Sequence, residues 1–112
     1  MDLKTIKNKE IFYPEEKIDY AIEGVVSKEI LAQAEGGITL FAFDKGQRLS
    51  EHSAPFDAII QVVEGSALIT IDKEPFLLSK GQMIIMPANH PHSVTAKEKF
   101  KMLLIMIKKT NK

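Results

Sequence analysis

From position 25 onward the chain alternates short apolar runs with polar, glycine or proline breaks. Residues 25–34 and 38–43 flank Glu35-Gly36-Gly37, which predicts a β-hairpin turning at the two glycines. Asp44-Lys45-Gly46 ends the second run, and the segment from there to Pro55 is polar. Residues 57–63 are almost continuously apolar, the pattern of a strand covered on both faces. Residues 67–71 and 75–78 read as strands around a tight turn at Asp72-Lys73-Glu74. Residues 82–86 form another that stops at Pro87, and 93–96 and 100–107 complete the set. Short strands recurring at intervals of about 8–12 residues predict an all-β sandwich or barrel, and no long helical period competes with that reading. Residues 1–24 mix lysines and glutamates with Ile6, Ile11, Phe12, Tyr13 and Ile18. They read as an N-terminal arm with at most one short helix, interrupted at Pro14, ahead of a single domain over 25–112. Apolar positions on both faces of 57–63 and 100–107 would serve a barrel interior on one side and an oligomer contact on the other, so a homodimer is the expectation.

Composition narrows the function classes. Fifteen Lys and Arg against fifteen Asp and Glu leave no net charge and no basic stripe, so no nucleic-acid partner is expected. The absence of cysteine excludes disulfides, thiolate metal ligands and cysteine nucleophiles. No stretch approaches the roughly 18 apolar residues of a membrane span, and the first residues carry no signal-peptide run, so a cytoplasmic protein without membrane contact is expected. Candidate chemistry then falls to the three histidines, His52, His90 and His92.

Two segments contain them. Gly46-Gln-Arg-Leu-Ser-Glu-His52 is followed by Ala54, Ala58 and Gly65, and Gly81-Gln-Met-Ile-Ile-Met-Pro87-Ala-Asn89-His90-Pro-His92 is followed by Ala96. These resemble the two motifs of the cupin superfamily, and the text is similar to that of small single-domain cupins of the cupin 2 type. The resemblance implies an all-β, double-stranded β-helix, the RmlC-like jelly-roll cupin barrel, and little about the reaction. Metal-dependent cupins bind their ion through two histidines and a glutamate of the first motif and a histidine of the second. The matching positions here are His52, Ala54, Ala58 and His92, so two of the four are methyl groups. The glycine and the final asparagine of the second motif are replaced by Asn89 and Ala96.

A catalytic divalent centre needs about three protein ligands and an open position, and His52 and His92 alone fall short of that. Strand alternation lets His90 join His92, although Pro91 between them disturbs the parity, whereas Glu51 and Asp57 should point outward. A Zn, Ni, Mn or Fe ion on the histidines with a substitute ligand is one reading. A pair of neutral, hydrogen-bonded imidazoles at the barrel mouth, able to act as acid and base, is the other. Ser50, Ser53 and Ser93 are nearby in number, but a serine next to a histidine faces the opposite side of a strand and no nucleophile stands beside the pair, which argues against a Ser–His hydrolase.

Arg48, the only arginine, shares parity with Ser50 and His52 on a regular strand and would clamp a carboxylate or phosphate, or else form a surface ion pair. Gln61 interrupts an apolar strand and would orient a ligand or bond across the sheets. Met86, beside Pro87, is the methionine expected in the pocket, with Met83, Met102 and Met106 as packing residues. The lysine-rich stretches 97–101 and 108–112 read as a solvated edge and tail. Three functions follow: a small-molecule-binding cupin with a degenerate metal site, a metal-dependent oxygenase, isomerase or lyase, and a non-catalytic interaction domain.

Overall fold

The computed structural model describes residues 3–108. Among them are nine strands: β1 (Val25–Gln33), β2 (Gly36–Phe43), β3 (Arg48–His52), β4 (Asp57–Glu64), β5 (Ser66–Ile71), β6 (Glu74–Ser79), β7 (Met83–Met86), β8 (His92–Thr95) and β9 (Phe100–Ile107). They form a five-stranded sheet ordered β1-β2-β9-β4-β7 and a four-stranded sheet ordered β3-β8-β5-β6, with every pairing antiparallel. This is the jelly-roll barrel that the strand pattern and the motifs predict. No helix among the described residues is long and apolar enough to cross a membrane.

Alternation along β4 sets the register of the larger sheet. Ala58, Ile60 and Val62 are buried, while Ile59, Gln61 and Val63 on the opposite parity are half-buried. Burying one such branched side chain stabilises the fold by about 1.5–3 kcal/mol, so a one-residue slip, which would turn all three outward, is strongly disfavoured. The inner residues meet Phe43, Ile69, Val94, Phe100 and Met102 in one core, within which the rings of Phe43 and Phe100 stack at 4.6 Å.

The hairpin between β1 and β2 turns at Ala34-Glu35, and Gly36 and Gly37 are the first residues of β2, not the turn itself. Close backbone approach explains the glycines. A Cβ on Gly36 would lie 2.0 Å from the Met106 carbonyl oxygen, and one on Gly37 would lie 2.8 Å from that of Leu31. Pro14 likewise starts a short 3-10 turn, Pro14–Glu16, and does not interrupt one, because the first helical position needs no N–H donor. Residues 109–112 of the expected tail lie outside the described residues.

Part of the outer face of the larger sheet is covered by the chain that precedes β1. Ile18 packs on Leu40 and Ala42 with Tyr20, Val26, Val63 and Leu103 around them. Lys101 is buried, donating to the Glu15 carbonyl at 2.6 Å and lying 3.6 Å from the Glu64 carboxylate. Tyr20 donates to that carboxylate at 2.5 Å, and burial, then this hydrogen bond and the Glu64 charge, push its hydroxyl well above the ordinary range. Beyond that cover Leu31 and Ile85 are exposed and Ile38, Ile59 and Ile105 half-buried. Leu31, Ile38, Ile105, Ile59 and Ile85 align in register across all five strands, a row about 19 Å long at ordinary strand spacing.

Gly65 closes the β4–β5 turn with φ +74°, and an added Cβ would sit 2.6 Å from the Lys99 carbonyl oxygen. Gly81 has a similar φ of +89° but nothing within 4 Å. Gly65→Ala is therefore expected to destabilise by clearly more than 1 kcal/mol, and Gly81→Ala by about 1 kcal/mol, in urea unfolding. Equal losses would show that the close approach at Gly65 costs nothing beyond the backbone strain.

Candidate functional site

Between the two sheets, at one end of the barrel, lies a partly open cavity of about 90 Å³. Its walls come from the inward parity of each strand: Ala58 and Ile60 from β4, Met86 from β7, His92 and Val94 from β8, and Met102, Leu104 and Met106 from β9. Ala54 and Phe56 enter from the β3–β4 loop. From β3 come both Leu49 and His52. These two differ by an odd number of positions and would face opposite ways on a regular strand. A bulge reconciles them: Leu49 pairs with Val94 and His52 with His92, so β3 spends one residue more than β8 over the same span.

The pairing of His52 with His92 brings their imidazoles together, with centroids 4.4 Å apart and Nε2 atoms at 3.2 Å. On the far side of each ring, Nδ1 meets a backbone carbonyl, Ser50 O at 2.8 Å for His52 and His90 O at 3.1 Å for His92. A carbonyl oxygen only accepts, so each Nδ1 carries its proton and donates. The neutral form of each ring then presents an Nε2 lone pair, and the two Nε2 atoms lie 3.2 Å apart with the rings edge-on at 71°. Two acceptor nitrogens this close repel, and a proton or a hydrogen-bond donor shared by them relieves the repulsion. His92 is buried and His52 exposed, so the pair stands at the boundary between pocket and solvent. Burial, and secondarily the neighbouring His52, lower the pKa of His92 below the ordinary imidazole value despite an opposing contribution from the His90 carbonyl. Both effects favour the neutral imidazole of His92.

The structure thus brings together His52, His92 and Met86 of the sequence-derived candidates. His90, Gln61 and Arg48 lie elsewhere. His90 is exposed, with Nδ1 2.5 Å from Asp72 Oδ2 on the β5–β6 turn, because β8 begins only at His92 and the Pro91 break removes the expected parity. Gln61 has the outward parity of β4 and lies 3.5 Å from the Gly81 carbonyl. Arg48 is exposed because the bulge separates it from the face of His52. The wall residues that periodicity alone could have supplied are Ile60, Met102, Leu104 and Met106, which follow from two-residue alternation through Ala58 and along β9. Leu49 carries no such signal, since only the bulge turns it inward.

A divalent centre of the type the motifs imply does not fit these residues. Ala54 and Ala58 do line the cavity where ligands would stand, yet they offer methyl groups. Among the described residues no group of three or more His, Cys, Asp or Glu side chains converges as a metal site. No lining side chain carries an oxygen.

The lowered pKa of His92 has a stability consequence whose sign is fixed. The unfolded chain binds the proton more readily than the folded one, so the contribution of His92 is fully present above its unfolded pKa, about 6.5, and is lost as pH falls below it. The melting temperature is expected to fall between pH 7.5 and 5.5, and to fall less steeply in His92→Asn; parallel profiles for the two proteins would contradict this.

A sequence model of the cupin domain family matches residues 39–108. The structure is similar to that of a conserved protein of unknown function from Streptococcus pyogenes, with a TM-score of 0.89 and 35% identity over 95% of this chain and 93% of that one. It is also similar to a cupin 2 conserved barrel domain protein from Leptotrichia buccalis, with a TM-score of 0.81 and 39% identity over 84% of this chain. This match spans 46% of the Leptotrichia chain. A cupin superfamily protein from Desulfitobacterium hafniense matches with a TM-score of 0.87 and 25% identity over 93% of this chain and 95% of its own. No curated protein matches the sequence. The motif spacing, the two-sheet barrel and these matches agree: the chain belongs to the cupin domain family.

Proposed function

We propose that the protein binds a small neutral molecule with a short aliphatic part inside the barrel and a hydrogen-bond-donating head on the histidine pair. The observation that carries this reading is the 3.2 Å approach of two Nε2 acceptors at the rim of an otherwise apolar cavity. The volume limits the guest. An apolar cavity of about 150 Å³ takes benzene, so about 90 Å³ takes a few aliphatic carbons, and the remainder of the ligand lies in the open mouth. Polarity selects the head group, because a hydroxyl or amide N–H satisfies the Nε2 lone pairs whereas a carboxylate adds a third repelling acceptor.

The donor set does not supply the ligands of a metal-dependent oxygenase, isomerase or lyase, and a scaffold without a ligand leaves the close approach of the two Nε2 atoms unexplained. The test is a thermal-shift comparison at pH 8 with chelator present, using butanol, butanamide and butyrate. The alcohol and the amide are expected to raise the melting temperature, since a ligand of the folded state adds stability by mass action, about 2.7 kcal/mol at a hundredfold excess over Kd. His52→Ala and His92→Ala should each lose the shift. A response to butyrate alone, or shifts that survive both substitutions, would sink the proposal. Zn, Ni, Mn and Fe analysis of untagged protein provides the complement: stoichiometric metal, lost in both variants, would restore the metal-enzyme reading.

We also propose that the aliphatic row on the outer sheet face contacts a second copy of the chain. The five-residue aliphatic row contains no charge, so a twofold contact lays like on like without repulsion, and the net charge of zero adds none at longer range. Sedimentation equilibrium is expected to find a dimer that Ile105→Lys, at the centre of the row, converts to monomer by placing a charge in a dry contact. A monomeric wild type, or a dimeric variant, would overturn it.

A further inference from the structure

A second cavity, of about 780 Å³, lies outside the barrel, where the chain before β1 meets the cross-strand pair Glu64 and Lys101 of β4 and β9. Ligand clefts commonly enclose about 300–1,000 Å³. Lys17 and Lys101 line this one, and both are buried. Lys101 Nζ donates to the Glu15 carbonyl at 2.6 Å, and Lys17 Nζ to the carbonyls of Leu3 at 2.9 Å and Thr5 at 3.2 Å. Their carboxylate neighbours stand farther off, Glu64 at 3.6 Å and Glu10 at 3.8 Å. Of the three N–H donors of an ammonium, Lys101 thus spends one on the described residues and Lys17 two. The others remain for water or for a guest in the cavity. Two further lysines of the seam choose the same kind of acceptor. Lys4 donates to the Glu16 carbonyl at 2.9 Å, and Lys28 to the carbonyls of Lys4 and Lys17. The acceptors bound throughout this seam are main-chain carbonyls.

We propose that this cavity binds a short apolar peptide with a free amino terminus. Three features of the lining select that guest. A peptide carbonyl accepts from Lys101 or Lys17 as the carbonyls of Glu15, Leu3 and Thr5 already do, and, being neutral, it escapes the repulsion that Glu64 would impose on a carboxylate. Leu3, Ile11 and Tyr13 also line the cavity, and all three are exposed, Ile11 completely. Single exposed apolar side chains are ordinary, but three around one cavity make a surface that apolar side chains of a guest would cover. Charge then sets the end group. The lining lysines already face carboxylates, Lys4 that of Asp19 at 3.2 Å, Lys17 that of Glu10 and Lys101 that of Glu64. Glu15 and Glu16, on the same lining, enter no ion pair among the described residues. The surplus charge is negative, so the cavity favours an ammonium and disfavours an acid.

The experiment is an NMR titration of the ¹⁵N-labelled full chain with leucyl-leucinamide, N-acetyl-leucyl-leucinamide and octanoate. It is run in the His52→Ala background, which removes the rim of the barrel pocket from competition. Leucyl-leucinamide is expected to move the amide signals of Ile11, Tyr13 and Lys101 and to leave those of Val94 and Met102, inside the barrel, in place. The acetylated peptide, which lacks the ammonium, is expected to bind at least tenfold more weakly, and octanoate to move nothing. Adding Glu15→Gln and Glu16→Gln is expected to abolish the preference between the two peptides. Ile11→Ser is expected to weaken binding at an unchanged melting temperature, because the Ile11 side chain is wholly exposed. The proposal is overturned by the absence of shifts with leucyl-leucinamide, or by shifts confined to the barrel interior. Equal affinity for the two peptides, preference for octanoate, or binding indifferent to Ile11→Ser would also overturn it. The wild-type thermal shifts with butanol and butanamide report on the barrel pocket, so the two readings fail independently.

Discussion

The extra residue of β3 opposite β8 is the constraint on which the site depends. Along β8, His92 and Val94 turn inward with ordinary alternation. Along β3, Leu49 and His52 do so only because Ser50 and Glu51 share a step that one residue would normally fill. A regular β3 would seal the barrel with Leu49 and send His52 to solvent, or admit His52 and expose Leu49. The bulge keeps the apolar wall and the imidazole together. It also frees the Ser50 carbonyl from the ladder, and that oxygen takes the proton of His52 Nδ1. The His90 carbonyl, one residue outside the start of β8, does the same for His92. Both tautomers are thus fixed by carbonyls that strand pairing leaves available, and the Nε2 lone pairs face the pocket as a result.

The larger sheet meets different demands on its two faces. Inside, alternation delivers bulky side chains to the core and leaves a short cavity beside Ala54 and Ala58. Outside, the chain before β1 covers Leu40, Ala42, Val63 and Leu103, and it does so with two lysines buried at the seam. Lys17 donates to the Leu3 and Thr5 carbonyls, and Lys101 donates to that of Glu15 while lying near the Glu64 carboxylate. Their satisfied ammonium groups tie the segment in place where hydrophobic burial alone would allow it to slide. Beyond the reach of that segment the isoleucine row continues without a cover.

Fold and site were unequally legible in the sequence. Turn chemistry and alternation located eight of the nine described strands to within a residue or two at most ends, since each rests on local information: proline cannot donate, Asp72-Lys73 adopts positive φ in a tight hairpin turn, and inward positions must be apolar; β3 lies in a stretch that reads only as polar. The Gly36-Gly37 turn misled because glycine also serves close approach between strands, a demand set by β9 that lies far away in the chain. The motif spacing found His52 and His92, but the parity argument built on β3 placed Arg48 beside them. A bulge is invisible to periodicity, because the pattern of residues it reorders is the only evidence periodicity has. His90 failed for a related reason: where a strand starts determines whether alternation applies at all.

The remaining feature of the pocket is its lack of charge. A cupin barrel positions inward side chains from several strands around one point, and the chemistry hosted there follows from which of them carry donors and which carry charge. Replacing a histidine and a glutamate position by Ala54 and Ala58 removes both ligands and anionic compensation. It leaves the backbone intact, since alanine fits any strand position. The vacated space is then bordered by the flexible chains of Met86 and Met106, which fill irregular gaps without demanding a single rotamer. The barrel therefore retains its geometry while the lining changes: two imidazole nitrogens stand close together at the rim and methionine thioethers border the space within, with no carboxylate among the lining side chains.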